Sequence, residues 1–143
     1  MNPPSPTRDF ALGDVLSVTT GRLVSARHMA GLRDILDWMS GEMPATHQIP
    51  RVLKEAAAVL GALYPHLTEA ALKEDLGELE RLLAAAPRDP VRCQGVVDGW
   101  VARLARTHGA SLPVPRMDAD QHERIDALSE LAEKVPPDRI VTI

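Results

Sequence analysis

From Ala26 onward apolar residues recur at steps of three and four: Met29, Leu32, Leu36 and Met39, with Ile35 widening the stripe. That is the period of an amphipathic helix, and Gly41 supplies its C-terminal stop. A second stripe, Ile49, Val52, Leu53, Ala56, Leu60 and Leu63, predicts a helix ending before Pro65, which can neither donate its amide nor continue the turn. Thr68 is placed to cap a third helix with a narrow seam of Leu72, Leu76, Leu79 and Leu83, closed by Pro87. Asp89-Pro90 has the order of an N-cap followed by proline at the first helical position, and Val97, Trp100, Val101 and Leu104 mark the buried face of the fourth helix, which His108-Gly109 ends.

Asp120 and Glu123 have capping-box spacing and open a fifth helix, with Ile125, Leu128, Leu131 and Val135 inside and Pro136-Pro137 as the stop. Residues 13–19 predict only a short helical turn, because Val18, Thr19 and Thr20 are β-branched and Gly21 follows. Pro113 and Pro115 hold Leu112–Val114 extended, and the final DRIVTI is a strand candidate expected to pair with it. The fold class expected is mainly α: a compact bundle of about five helices with a short C-terminal two-stranded β element. Residues 1–8, with three prolines and no apolar run, read as a disordered N-terminal lead, and 9–143 as a single helical domain.

Composition narrows the setting. With 143 residues the chain fits one domain, and 16 Lys plus Arg against 20 Asp plus Glu give a net charge of −4. That balance argues against a chain built to coat nucleic acid or an anionic membrane. The lone Cys93 forms no internal bridge and suggests a reduced, cytoplasmic location. No apolar stretch reaches the roughly 18 residues that a spanning helix needs, so no membrane is expected. One Phe, one Tyr and two Trp leave a core of Leu, Val, Ala and Met, with little to stack on bases.

Several clusters invite a chemical reading. Thr46, His47 and Arg51 surround a helix start, where unpaired amides and the helix dipole favour an anion; with Arg22 and Arg27 they form the candidate ligand site. Helix punctuation by Thr46 and Pro50 explains the same spacing. Asp118, Asp120, His122, Glu123 and Asp126 carry metal-ligating atoms, but acidic residues are also what a helix start prefers, and no metal or cofactor is assigned. Arg103 and Arg106, with Arg92, share a stripe on the fourth helix, and with Trp38 and Trp100 they are the candidate interface residues. The seam on 72–83 serves either an internal neighbour or self-association into a homo-oligomer. There is no nucleophile elbow, phosphate loop or dinucleotide fingerprint, so no catalytic residue is assigned and no enzyme is expected.

Three stretches carry a resemblance: LGDVLSVTTGRLVS, WMSGEMPATHQIPR, and WVARLARTHGASLPV with HERIDALSEL and DRIVTI beyond it. Together they resemble an uncharacterised family of small proteins found in bacteriophages and prophage-bearing bacteria, a domain of unknown function. Family members tend to have Asp and Leu where this chain has Glu42 and Ile49, and a Tyr-Gly-Glu step where it has Thr107, His108 and Gly109. The resemblance implies a phage setting, inside a host cell, and carries no reaction. The function expected is that of a non-enzymatic accessory protein binding a host protein or protein complex, in its sharpest form an anti-CRISPR-like counter-defence inhibitor. A small-ligand or nucleotide binder is the alternative, and a nucleic-acid binder the weaker one.

Overall fold

The chain enters the core at once. Strand β1, Thr7–Ala11, runs directly into helix α1, Leu12–Thr20, and every residue of α1 is buried. The structure, a computed structural model, describes residues 6–86 and 88–134. A helix buried all round must satisfy its polar side chains internally. The hydroxyl of Ser17 donates to Gly13 O at 2.8 Å and that of Thr20 to Leu16 O at 2.6 Å, whereas the buried Thr19 hydroxyl has no partner among the described residues. Gly21, at φ 72°, ends it in the left-handed conformation that glycine adopts cheaply.

Helix α2, Met29–Ser40, and helix α3, Ile49–Leu63, close over α1 with the central residues of the stripes read from the sequence, while Met29 and Leu63 at their ends are exposed. Ile35, Leu36, Met39, Val52, Ala56 and Leu60 are all buried at 1% exposure or less, against Val15, Leu16 and Val18 of α1. Helix α4, Lys73–Ala85, and helix α5, Pro90–His108, pair with one another. Leu72, Leu76 and Leu79 meet Trp100 and Leu104 in the same core, so the leucine seam is an internal one along these residues. Asp89 accepts from the Val91 amide at 2.9 Å, as its place before Pro90 predicts.

The two-stranded sheet is where expectation and structure part. Strand β2, Ser111–Pro115, pairs antiparallel with β1 at the N-terminal end, Thr7 opposite Pro115 and Ala11 opposite Ser111; its expected partner, the C-terminal DRIVTI, lies outside the described residues. Thr7 and Arg8, read as part of the N-terminal lead, are therefore strand residues. The reason is packing: a two-stranded ribbon holds only when anchored on helices, and Phe10 and Val114 supply buried anchors at 3% and 0% exposure. The Leu12 amide, donating to Ala110 O at 2.9 Å, extends the pairing to the first residue of α1.

Helix α6 also differs. It spans Ala127–Lys134, and residues 118–126 form a turn and irregular chain in place of the predicted first turns. The Asp120 and Glu123 capping box is absent; Asp126 receives the Ser129 amide at 3.2 Å instead. Of its expected inner face, Leu128 and Leu131 are exposed and Ile125 half-buried, Val135 lying outside the described residues, while Glu130 is buried.

Gly31, on the first turn of α2, has no room for a side chain: a Cβ there would strike Ser25 Oγ and stand 2.5 Å from Asp14 Oδ1. Gly31→Ala is therefore expected to destabilise the fold by about 2 kcal/mol, as overpacking does. Chemical denaturation measures this; an unchanged midpoint contradicts the packing described.

Candidate functional site

Two polar neighbourhoods organise the surface, and the first is built into the loop between α1 and α2. Asp14 is 3% exposed, in an otherwise apolar turn. Its Oδ1 accepts from the Ser25 hydroxyl at 2.5 Å and its Oδ2 from Arg27 at 2.8 Å. Arg27 also donates to Asp34 at 3.2 Å, and Arg8 of β1 reaches the same Asp34 with both terminal nitrogens. The hydrogen bond to Asp14, followed by its charge and that of Asp34, raises the Arg27 pKa above its ordinary value. From the other side, Ser17 Oγ accepts the amides of Val24 and Ser25, each at 3.0 Å. His28 completes the turn at φ 55°, an uncommon conformation for a residue with a Cβ, and its carbonyl receives the amides of Gly31 and Leu32.

This fixed loop forms one wall of a groove whose other wall is α5. A hollow of about 510 Å³ is lined by Ala11, Leu12, Val24, Ala26, Val101, Ala102 and Ala105, with Asp14, Arg27 and Asp98 supplying polar groups. A second hollow of about 480 Å³ follows along the same helix, between His28 and Val91, Gln94, Gly95 and Asp98. Asp98 belongs to both. Volumes of this size suit a small molecule or a few side chains of a partner.

The second neighbourhood gathers the Thr46–Arg51 stretch and turns it inward. Thr46–Gln48 is a single turn of tight helix before α3, and its start is capped by Gln48, whose Oε1 accepts the Ala45 amide at 2.9 Å. Thr46 is not the cap: its hydroxyl receives Arg33 at 2.9 Å. His47 Nε2 lies 2.7 Å from Ala127 O, and Gln48 donates to Ile125 O at 2.8 Å. Arg51 donates to both oxygens of buried Glu130, to Glu55 and to Glu123 O at 2.6 Å. The bond to Glu130 is the main cause of a raised Arg51 pKa. His122, 5% exposed, stands between Glu55 and Glu42, each ring nitrogen 2.7 Å from a carboxylate oxygen. The Glu123 amide adds a bond to Glu55 at 3.0 Å. These contacts clamp residues 117–130 onto α2 and α3.

The sequence-derived candidates thus fall apart spatially. Arg27 lines the α5 groove while Arg51 lines a different hollow along α3, and Arg22 pairs with Glu80 at 2.5 Å. Trp100 is a core residue whose indole donates to Asp75 O, and Trp38 is half-buried, donating to Val114 O at 2.8 Å beneath the Arg116 guanidinium. Arg103 binds Glu78 with two nitrogens, and Arg106 is exposed. Among the described residues no group of three or more His, Cys, Asp or Glu is arranged to hold a metal, and His122 of the 118–126 cluster points to Glu42 and Glu55. No described helix is long and apolar enough to cross a membrane.

Fold and surface together define a mainly helical protein with a small antiparallel sheet and a groove beside a buried carboxylate. The family described as Domain of unknown function (DUF7736) matches residues 10–70, less than half of the chain. The matched stretch contains α1, α2, α3 and the whole Asp14, Ser17, Ser25, Arg27, Gly31 arrangement; α5, the facing wall of the groove, lies outside it. No curated protein and no solved structure matches the chain.

Removing the hub of the clamp separates it from the core. His122→Ala is expected to speed amide hydrogen exchange across residues 117–130 while leaving α1 and the inner face of α3 protected. Unchanged exchange in 117–130 contradicts the clamp.

Proposed function

We propose that the protein is a non-catalytic binding module that grips a segment of another protein in the groove between the 24–28 loop and α5. The observation that supports it is the groove itself: apolar walls of alanine and valine beside a loop whose polar groups already satisfy one another. Such a surface is preformed, so a partner need not supply the free energy to order it. The resemblance to small phage proteins implies a bacterial host protein as the partner, and a defence complex is the sharpest form of that reading. A small apolar ligand is the second reading, favoured by the 510 Å³ hollow. Phosphate or nucleotide binding at Thr46, His47 and Arg51 has less support, because Arg51 is engaged by Glu130, Glu55 and Glu123 O.

Ala102 is exposed inside the hollow, so Ala102→Phe fills the space from the solvent side. Capture from bacterial lysate on the tagged full chain is expected to recover a stoichiometric partner that the Ala102→Phe chain, melting at the same temperature, fails to recover. A partner retained equally by both chains, or bait alone under several growth conditions, contradicts the proposal.

A further inference from the structure

We infer that the segment held in this groove is amphipathic and presents a lysine or arginine to Asp98; the inference rests on the binding reading above and adds the chemistry of the partner. Val91, Gln94, Asp98, Val101, Ala102 and Ala105 line the two hollows, and their spacing of three and four places them on one face of α5. Asp98 stands at the middle of that face, two helical turns from Val91 and two from Ala105.

The charges around it do not cancel. On the opposite wall Arg27 is committed to Asp14 at 2.8 Å and Asp34 at 3.2 Å. The described contact of the Asp98 carboxylate is the neutral amide of Gln94, at 2.7 Å. Asp14, Arg27 and Asp98 therefore leave one negative charge, carried by the exposed Asp98 where the two hollows meet, beside the apolar side chains of Val91, Val101, Ala102 and Ala105. A carboxylate so placed favours a cation flanked by apolar groups, and it rejects a carboxylate at the same position by like-charge repulsion. Gly95 and Gly99 add a steric point: a Cβ at either would meet only open space. Mid-helix glycine is destabilising relative to alanine, and no neighbour among the described residues requires these two; they leave the helix backbone open to close approach by a second backbone.

Selection of a random dodecapeptide display library on the full chain tests this, with the Ala102→Phe chain as the blocked control. Enriched peptides are expected to carry one Lys or Arg flanked by apolar residues. In fluorescence anisotropy the enriched peptide should outbind its Lys→Glu counterpart by about tenfold or more, and Asp98→Asn should collapse that ratio to about twofold. Enriched peptides that are acidic, or whose binding ignores Asp98→Asn, overturn the charge assignment while the groove remains a binding surface. No enrichment above the Ala102→Phe control overturns the groove reading together with it.

Discussion

A carboxylate buried in a helix of Leu and Val is the constraint around which this protein is arranged. Asp14 sits at 3% exposure, and burying a charge without partners costs several kcal/mol, a large share of the 5–15 kcal/mol that holds a domain of this size. The Ser25 hydroxyl and the Arg27 guanidinium meet it, and Ser17 in turn fixes Ser25 through its amide. The 24–28 loop therefore cannot be a loose connection. It must return to α1 at one place, which fixes where α2 begins, forbids a side chain at Gly31 and sets His28 in its unusual conformation. The wall of the groove follows from the same bonds.

The C-terminal part is attached by different physics. Helices α1 to α3 are joined by close-packed Leu, Ile, Val and Met. Residues 117–130 instead reach them through His122, Arg51, Gln48 and His47, with the Met117 amide on Met39 O, while Leu128 faces solvent. Polar docking of this kind is directional and contributes little net free energy per bond, because water offers the same partners to the detached chain. The two parts are thus expected to open independently, the polar one first.

Much of the helical architecture was legible because it depends on local signals. Gly41, Pro65 and Asp89-Pro90 mark helix ends whatever surrounds them, and the stripes of α2 and α3 are pure periodicity. The pairing of β2 with β1 was not legible, since residues up to Arg8 read as a proline-rich lead and the burial of Phe10 that anchors the ribbon depends on helices far along the chain. Helix α6 was misjudged for a related reason: a capping box is local, whereas the pull of Glu42 and Glu55 on His122 comes from residues 67 or more positions away. Of the candidate residues, Arg51 and His47 do work at a helix start, but for the chain's own carbonyls and carboxylates. The signal for the Asp14 network was present, a lone acid within LGDVL, and its meaning depends on a serine and an arginine beyond the next turn. Asp98 reads in sequence as one more surface acid; only the fold sets it across from Arg27.

Helix α1 holds the 24–28 loop through side-chain acceptors, so that the groove wall exists before any partner arrives. Amide hydrogen exchange of Val24 and Ser25 in the isolated protein tests it most directly, because both amides lie outside any helix or strand and donate to Ser17 Oγ. Protection close to that of the buried amides of α1 is expected. Exchange at the rate of an open loop contradicts it.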